Sequence, residues 1–594
     1  MESDSIVKSH LLKHKWQYLF GMMLLSISSV LQLQIPTYLE RFTDSVQEST
    51  LTNPLLYELS ISVVLVGLGV ATFRSCSRIY IFRLSRLLEK KVRMRLFKHW
   101  VKLPAQYYNK QRIGDLMSHA INDVNVIREV AMGGIFLTIE VVILIAVAVT
   151  MMGTTINAWL TLVVILPLPG LTFLAYKFRF KIQDRSTKVQ EAISNLTSTT
   201  QEFCSGIRVV KSYNQEKQEL NKFKNDNYQN VKANQQLILT NSLFTSASIA
   251  IVGLSYLLSI FFGGLLVMNN TISLGQFVAF NTYLSLLIAP VENLGKVINI
   301  LQRGWASNIR LRKIFAIESE VKDEENVIDT EIKGSIRFNN LSFRYPGSEE
   351  KTLKNINVNI PNGSSLAIVG KVGSGKTTLI NLLLRIYNPP KGTVFIDGYD
   401  IFQLPLERLR KSVGIVPQEN FLFSSTIGEN IAFDPAPYDD MEVTEAAKLA
   451  QVYSNIIEFP KKFDTPLGER GISLSGGQRQ RISIARSFIK DASILIFDDS
   501  LSAVDAQTEE KILSGMKEKM KNTTTIIVSH RISSIKHCDQ IIVMDEGEIV
   551  EQGTHETLVN NKGIYNSMYE KQTFGYETSA RKVGQFSLVK SGRK

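Results

Sequence analysis

A glycine-rich segment at residues 370–378 has the composition of a phosphate-binding loop. It reads Gly-Lys-Val-Gly-Ser-Gly-Lys-Thr-Thr, the spacing in which backbone amides surround the phosphates of a nucleotide. In this pattern, called the P-loop, Lys376 contacts the β- and γ-phosphates and the Thr377 hydroxyl is a ligand of Mg²⁺. We therefore expect ATP and Mg²⁺ as cofactors. The predicted phosphate-binding residues are Gly370, Gly373, Ser374, Gly375, Lys376, Thr377 and Thr378.

Two apolar stretches are predicted to position this loop and an acid beside it. Residues 365–369 have the composition of a buried strand and residues 377–384 that of a helix, so the loop precedes a helix N-terminus, which favours an anion. A second predicted strand, 493–497, leads to Asp498, which we expect to hold Mg²⁺ through water. From residue 336 onward strands alternate with helices, which predicts an α/β domain with a largely parallel sheet.

The first half of the chain has the hydropathy of a membrane protein. A helix of about 20 apolar residues crosses the hydrocarbon core of a bilayer. We expect an α-helical transmembrane domain with six spans and long cytoplasmic helical extensions. The predicted spans are 17–37, 55–76, 131–152, 157–177, 241–267 and 274–300.

The distribution of charge predicts the side of the membrane on which each segment lies. The gaps 77–130 and 178–240 are rich in lysine and arginine, which indicates a cytoplasmic location shared with the N-terminus. The same bias accounts for the net charge of +12. We expect no nucleic-acid partner, because no basic patch is interleaved with aromatic residues. The three cysteines lie far apart, which argues against a disulfide framework and a metal site.

The membrane half contains an acid that is open to two interpretations and two histidines outside any motif. Glu140 lies within an apolar run, where a carboxylate either faces a pathway for cationic or polar substrates or makes a buried structural hydrogen bond. His10 and His14 have no motif around them, and we expect both to be ordinary surface residues.

The motifs of the second half follow the order found in ABC ATPases, and residues 15–572 resemble an exporter-type ABC half-transporter. Leu474-Ser-Gly-Gly-Gln478 resembles the ABC signature, and the strand ending at Asp498 resembles the Walker B motif. The resemblance implies that Tyr345 stacks on adenine, that Gln418 senses Mg²⁺ and the attacking water, and that His530 contacts the γ-phosphate. It further implies cofactor contacts by Ser475, Gly476, Gly477, Gln478 and the D-loop residue Asp505.

The resemblance also implies a working unit of two chains. In this family each ATP is held between the P-loop of one chain and the signature of the other, where the amides of a helix N-terminus contact the γ-phosphate. One P-loop and six spans therefore require a second half-transporter as partner. Short coupling helices in the cytoplasmic extensions would contact the ATPase domain. The expected positions are Gly114, Asp115 and Leu116 in the first extension, and Gly206, Arg208, Val209 and Tyr213 in the second.

One residue departs from the family pattern. ABC ATPases carry Glu after the Walker B Asp as the catalytic base, and this chain has Asp499. Its carboxylate lies one carbon–carbon bond, about 1.5 Å, further back, and a misplacement of about 1 Å can lower a rate about 100-fold. In this respect residues 498–505 resemble the degenerate-site subunit of heterodimeric bacterial multidrug exporters of the BmrC/BmrD-like type. A conservative exchange with near-normal activity is the alternative.

These observations predict ATP-driven export of hydrophobic or amphipathic compounds across the plasma membrane, with the ATPase domain in the cytoplasm. The predicted partners are a second ABC half-transporter, membrane lipids and a small substrate. The alternatives are a peptide or lipid exporter, an ATP-gated channel or sensory subunit, and an active homodimer. The expected organisation is a transmembrane domain at 1–310, a linker at 311–335, a nucleotide-binding domain at 336–572 and a disordered basic tail at 573–594.

Overall fold

The computed structural model describes residues 5–433, 439–468, 474–500, 508–512, 514–515 and 523–573. The chain divides into two compact units. The first is Met1–Lys102 with Gln111–Glu318, and the second is Leu103–Lys110 with Ser319–Lys594. The predicted D-loop residue Asp505 and the basic tail after Thr573 lie outside the described residues.

The first unit is helical, because a helix satisfies its own backbone hydrogen bonds and can therefore be surrounded by lipid. Its α-helices are Ser5–Lys13, Lys15–Gln32, Ile35–Gln47, Asn53–Trp100, Ile113–Ser118, Val124–Glu129, Ile135–Met151, Ala158–Ile165, Pro169–Ser205, Ile207–Ser212, Glu216–Met268 and Leu274–Phe315. Three single π-helical turns adjoin them, at His119–Asp123, Val130–Gly134 and Met152–Asn157.

Five helical runs of the described chain are long and apolar enough to cross a membrane, so the predicted count of six is not confirmed. The run Ile113–Ser205 contains the third and fourth predicted spans. Within it the backbone of Asn157 is extended, with φ at −162°, and its side chain accepts a hydrogen bond from the Leu160 amide at 3.0 Å. A new, capped helix therefore begins at Ala158, at the start of the fourth predicted span.

Long-range hydrogen bonds hold the last long helix of this unit to the first ones. The Tyr283 hydroxyl donates to the Leu33 carbonyl at 3.0 Å. Asp44 accepts from the Gly275 amide at 2.7 Å and from the Ser273 hydroxyl at 2.8 Å, which satisfies donors at the start of the helix Leu274–Phe315. These contacts fix the ends of sequence-distant helices beside one another.

The prediction that His10 is a surface residue is wrong. Its side chain is only 2% exposed, and its ring lies 4.6 Å from that of His14. Burial, reinforced by the neighbouring His14, lowers the pKa of His10 to about 4, so the imidazole is neutral near pH 7. The short helix Ser5–Lys13 thus packs against the unit.

The second unit contains two β-sheets. The strands are β1 Ile336–Phe343, β2 Leu353–Ile360, β3 Ser365–Gly370, β4 Val394–Ile396, β5 Tyr399–Asp400, β6 Val413–Val416, β7 Ile494–Asp498, β8 Thr524–Val528, β9 Gln540–Asp545 and β10 Glu548–Gly553. An antiparallel sheet has the order β2-β1-β4-β5, and the larger sheet has the order β10-β9-β3-β8-β7-β6. All neighbours in the larger sheet are parallel except β10 with β9, so the predicted parallel sheet is confirmed.

Helices cover the larger sheet and bury its central strands. β7 and β8 are buried at every position, as expected for strands covered on both faces. The α-helices of this unit are Ala105–Lys110, Lys376–Leu383, Leu406–Lys411, Ile427–Ile431, Asp440–Leu449, Tyr453–Ile457, Gly476–Ile489, Ile532–Ile535 and His555–Asn560. Two single 3₁₀ turns lie at Ile401–Gln403 and Lys462–Asp464.

Candidate nucleotide site

The carboxyl ends of four parallel strands bring the predicted nucleotide residues to one edge of the larger sheet. β3 leads into the P-loop and β7 ends at Asp498, while Gln418 and His530 follow β6 and β8. This edge is where ligands bind in open α/β sheets. A cavity of about 230 Å³ lies there, lined by residues 373–378 of the P-loop with Gln418, Asp498, Asp499 and His530.

Two glycines give the P-loop its shape. Gly373 and Gly375 have φ angles of 86° and 99°, a region that side chains with a Cβ rarely occupy. A Cβ on Gly375 would also lie 2.7 Å from a Leu353 methyl group. The loop can therefore turn its amides toward a bound phosphate only with glycine at these positions.

Lys376 lies within the curve of the loop. Its Nζ donates to the carbonyls of Gly370 at 2.9 Å and Lys371 at 2.6 Å. Burial lowers the pKa of its ammonium, and the carboxylates of Asp498 and Asp499 oppose that shift. The cation is thereby held beside the place where the loop amides converge.

Asp498 and Thr377 form the part of the site that suits a metal ion. The Thr377 side chain makes a hydrogen bond to the Asp498 carboxylate, so the P-loop helix and β7 meet at this point. Burial raises the pKa of Asp498, the Thr377 bond lowers it, and the adjacent Asp499 raises it. Hard oxygen donors fit Mg²⁺. No group of three or more His, Cys, Asp or Glu side chains in the described chain could hold a metal alone, so phosphate and water would supply the other ligands.

Asp499, which we predict at the position of the catalytic base, lies at the wall of the same cavity. Its backbone has φ of 45°, in the left-handed region that Asp and Asn tolerate better than longer side chains. The Asp499 amide donates to the Val528 carbonyl at 2.9 Å. The residue after β7 is thus held in a turn that fixes where its short carboxylate can reach.

Tyr345 lies beside the P-loop helix. Its hydroxyl bonds to the Thr378 hydroxyl at 3.0 Å, and its ring lies 5.0 Å from that of Tyr387. Tyr345 is not among the residues that line the cavity. The ring is held at the start of the helix that follows the phosphate-binding loop, and its stacking on adenine stays a prediction.

The signature begins a helix of its own. Ser475 caps Gly476–Ile489: its hydroxyl accepts from the Gln478 amide at 3.2 Å, and the Gln478 side chain accepts from the Ser475 amide at 2.9 Å. This reciprocal pair is a capping box, so Gln478 has a structural role at the helix end. Among the described residues none of the four signature positions, Ser475, Gly476, Gly477 and Gln478, lines the P-loop cavity. The described signature residues thus lie outside the cavity at this chain's own P-loop.

Three cavity residues were missed by the sequence reasoning. Thr352, Val372 and Val528 line the cavity, and Val372 is 92% exposed at the tip of the P-loop. An exposed apolar residue inside a phosphate-binding loop is a signal that could have marked Val372. Val528 ends β8 and Thr352 immediately precedes β2, and both reach the site through long-range packing that spacing does not reveal.

Glu140, the predicted substrate residue, is paired within its own chain. Its carboxylate forms a salt bridge with the Arg74 guanidinium, and its side chain is 12% exposed. The charge is therefore already compensated, which favours the structural alternative. The two residues are 66 positions apart, so the sequence pattern could not indicate the pair.

The segment that clusters with the ATPase unit lies shortly before the first predicted coupling position, whose coupling role stays a prediction. Leu103–Lys110, which includes the helix Ala105–Lys110, clusters with the ATPase unit, whereas Gly114, Asp115 and Leu116 belong to the helical unit. Within the ATPase unit, the Asn109 side chain donates to the Tyr387 hydroxyl at 3.1 Å. In the second extension, Arg208 and Val209 lie on the short helix Ile207–Ser212, which Gly206 and Tyr213 flank.

Comparison with known proteins places both halves of the chain. The ABC transporter transmembrane region family matches residues 18–291, and the ABC transporter family matches residues 353–502. The probable multidrug resistance ABC transporter ATP-binding/permease protein YheI of Bacillus subtilis (strain 168) is 36% identical over 94% of this chain and 95% of its own length. The multidrug resistance-like ATP-binding protein MdlA of Buchnera aphidicola subsp. Schizaphis graminum (strain Sg) is 34% identical over 95% of this chain and 97% of its own.

A solved structure has the same architecture. A bacterial Atm1-family ABC exporter with ATP bound superposes with a TM-score of 0.77 and 26% identity, over 94% of this chain and 98% of the other. Full-length agreement in fold, together with relatives over 30% identical, identifies the activity as ATP hydrolysis coupled to transport, with a C-terminal cytoplasmic ATPase domain. The chain therefore belongs to the type IV exporters of the ABC transporter family.

Proposed function

We propose that this chain is one half of a heterodimeric exporter of hydrophobic or amphipathic compounds, and that its own nucleotide site hydrolyses ATP slowly. Asp499 carries this proposal. It occupies the position of the catalytic base with a side chain one methylene shorter than Glu, on a backbone with φ of 45°. A general base must approach within about 2.6–3.2 Å of the group whose proton it takes.

The other components of the site are present and support ATP binding. The P-loop, Lys376 and the Thr377–Asp498 pair would hold the phosphates and Mg²⁺. Gln418 and His530 would orient water and contact the γ-phosphate at the same edge of the sheet. This site would consequently bind Mg·ATP well and release its hydrolysis products rarely.

The signature supports the opposite role toward the partner chain. The capped helix Gly476–Ile489 presents the amides of its first turn, which are suited to a γ-phosphate held by a second P-loop. A partner with Glu at the base position would supply a fast site completed by this signature. ATP binding would then draw the ATPase domains together, and hydrolysis at the fast site would separate them.

We further propose six membrane crossings. The run Ile113–Ser205 is 93 residues long, and a helix of that length would measure about 140 Å, several times the thickness of a bilayer. The capped break at Asn157 supports separate third and fourth spans. With six crossings, both long extensions and the ATPase domain lie on the cytoplasmic side of the membrane.

Co-purification tests the heterodimer. Two copies of the full chain that carry different affinity tags are expressed together in the native host. We expect that neither tag recovers the other copy and that each recovers a second half-transporter with Glu after its Walker B Asp. The recovered pair should hydrolyse ATP faster than the chain alone. Recovery of both tags in one complex with full turnover would establish the homodimer instead. Uphill efflux by the pair in vesicles separates a pump from the channel or sensory alternative.

A further inference from the structure

The helical unit contains two adjoining cavities of different character. One, of about 720 Å³, is apolar and is bordered by residues such as Ile145, Leu168 and Phe173. The other, of about 590 Å³, lies between the helices Pro169–Ser205, Glu216–Met268 and Leu274–Phe315. Thr172, Tyr176 and Val291 line both, so an apolar and a more polar cavity adjoin each other along these side chains.

The more polar cavity carries a net positive charge. Arg179, Lys296 and Glu292 line it, two cations against one carboxylate. Arg179 donates to the Gln302 side chain, and the Lys296 Nζ donates to the Asn293 side-chain oxygen at 3.0 Å. In the part of the chain that the structure describes, no carboxylate lies within salt-bridge distance of either cation, unlike Arg74 beside Glu140. Both cations therefore retain charge that an anionic ligand could neutralise.

The positions of the two cations along their helices indicate which end of the cavities would hold the charged end of a ligand. Arg179 follows directly after the predicted span 157–177, and Lys296 lies near the end of the predicted span 274–300. Arg179 lies at the start of the basic extension 178–240, which the charge rule assigns to the cytoplasm, and the span that contains Lys296 is followed by the linker to the cytoplasmic ATPase domain. The apolar cavity is bordered by Leu168 and Phe173, which lie within the predicted span 157–177. Cations at a span end often only anchor a helix in the headgroup region, but these two line the same cavity.

On these grounds we propose that the two adjoining cavities together bind an amphiphile of the cytoplasmic leaflet, with its anionic head between Arg179 and Lys296 and its apolar tail against Leu168 and Phe173. The inference rests on the proposed export of amphipathic compounds and names their charge class. A lipid-like anion fits both cavities at once, because its head neutralises two cations while its tail leaves water. A cationic drug would meet the opposite charge only at Glu292.

Photolabelling tests this in membranes containing the full chain with its partner, without ATP. The probes are two C12 alkyl diazirines with the same tail, one ending in a carboxylate and one in a trimethylammonium group. We expect the carboxylate probe to label peptides containing Leu168 and Phe173 about fivefold more strongly than the cationic probe. The double variant Arg179→Gln with Lys296→Gln should remove that preference.

Lys177→Gln is the matched control, because Lys177 is an exposed cation on the same helix that lines neither cavity. It should leave both labelling yields unchanged. Equal labelling by the two probes, stronger labelling by the cation, or a preference that survives the double variant would overturn the proposal. Labelling does not depend on ATP turnover, so this result is independent of whether the Asp499 site is slow.

Discussion

At the scale of single residues, the proposed slow site depends on the length of one side chain and on the backbone beneath it. Asp499 is the proposed catalytic base with a shorter side chain than Glu, and its φ of 45° suits Asp better than Glu. A short acidic side chain and a left-handed backbone are thus compatible with each other at residue 499. The remaining groups of the cavity are of the kind found in an active ABC ATPase.

Lengthening this base should therefore accelerate the site. We expect Asp499→Glu to raise ATP turnover at this chain's P-loop about tenfold or more, out of the roughly 100-fold that a misplacement of about 1 Å costs. Asp499→Asn should reduce turnover of the assembled pair by no more than about twofold, because the partner's site carries most of it. Steady-state hydrolysis by the reconstituted pair measures both. Complete loss of turnover in Asp499→Asn would show that this site is the working one.

The pH dependence of Mg·ATP binding tests the coupling of the two neighbouring acids. Burial raises the pKa of Asp498, and the adjacent Asp499 raises it further. Because Mg²⁺ binds the ionised carboxylate, affinity should be present at neutral pH and should fall, on acidification, earlier than for an ordinary Asp. Asp499→Asn removes one negative neighbour, lowers the pKa of Asp498 and moves this loss to lower pH.

Nucleotide-binding titrations at decreasing pH measure the shift. ATP itself takes up protons in the same range, so the comparison is between the wild-type chain and Asp499→Asn at each pH, where that contribution cancels. Asp499→Glu keeps the charge and serves as the control, with a midpoint close to that of the wild type. A midpoint that moves upward in Asp499→Asn would contradict the assigned cause.

At the scale of secondary-structure elements, the ends of strands and helices carry most of the chemistry. Four parallel strands end at the edge of the sheet where the P-loop, Asp498, Gln418 and His530 lie. The first turn of the signature helix lies outside the cavity at this edge. The helix Gly476–Ile489 is held firmly: Arg486 donates to the Asn430 carbonyl at 2.7 Å and the Phe421 carbonyl at 3.0 Å. Its N-terminus is consequently a fixed surface rather than a flexible loop.

Changes at the signature can separate capping from catalysis. Asp caps helices about as well as Ser, so Ser475→Asp should keep the capping box and the thermal midpoint. Its carboxylate would oppose a γ-phosphate, and ATP turnover of the pair should fall to background. Gln478→Ala is the matched variant, since it removes half of the capping box and costs about 1 kcal/mol while leaving the amides in place. Thermal unfolding of both variants measures the loss of capping, and ATP hydrolysis measures the loss of turnover. Retained turnover in Ser475→Asp would exclude contact between this helix and a nucleotide held by the partner chain.

A chain of contacts within the ATPase unit connects the helix Ala105–Lys110 to the P-loop helix. Asn109 bonds to the Tyr387 hydroxyl, the Tyr387 ring packs on Tyr345, and Tyr345 bonds to Thr378. Residues 103–110 belong to the ATPase unit, whereas the chain before and after them belongs to the helical unit. We therefore expect residues 103–110 to respond to the state of the nucleotide site.

Removing one hydroxyl should weaken this connection without disturbing the site. Tyr387→Phe keeps the ring contact with Tyr345 and loses the bond from Asn109, so we expect normal ATP affinity and substrate stimulation of hydrolysis reduced about two- to fivefold. Asn109→Ala should have the same effect, and the double variant no more than either single one. Additive losses would mean that the two residues act independently.

The elements also show which parts of the molecule a sequence can predict. A shared location for the P-loop, Gln418, Asp498 and His530 could be predicted because each motif ends a strand or begins a helix, and parallel strands place their carboxyl ends together. The Arg74–Glu140 pair, the burial of His10 and the docking of residues 103–110 were not found. All three depend on packing between helices far apart in sequence, and a hydropathy pattern states only that a helix is apolar, not which neighbour each face meets.

At the scale of the whole molecule, asymmetry between two chains should be visible in the fate of bound nucleotide. A slow site that binds Mg·ATP well should keep its ATP through several cycles of the fast site. We expect the assembled pair, loaded with labelled ATP and then diluted into unlabelled ATP, to retain about one labelled ATP per two chains while labelled ADP leaves from the other site. Rapid filtration and separation of the retained nucleotide measure this.

The same experiment with Asp499→Glu supplies the control, because a repaired base should convert the retained ATP to ADP and shorten its residence. Lys376→Ala should abolish retention altogether, since it removes the cation that lies within the P-loop. If both sites of the wild-type pair released labelled ADP at the same rate, the two halves would be equivalent in use despite their different acids. The short carboxylate of Asp499 would then reach the attacking water. The proposed asymmetry would be wrong, and the exporter would hydrolyse ATP equally fast at its two sites.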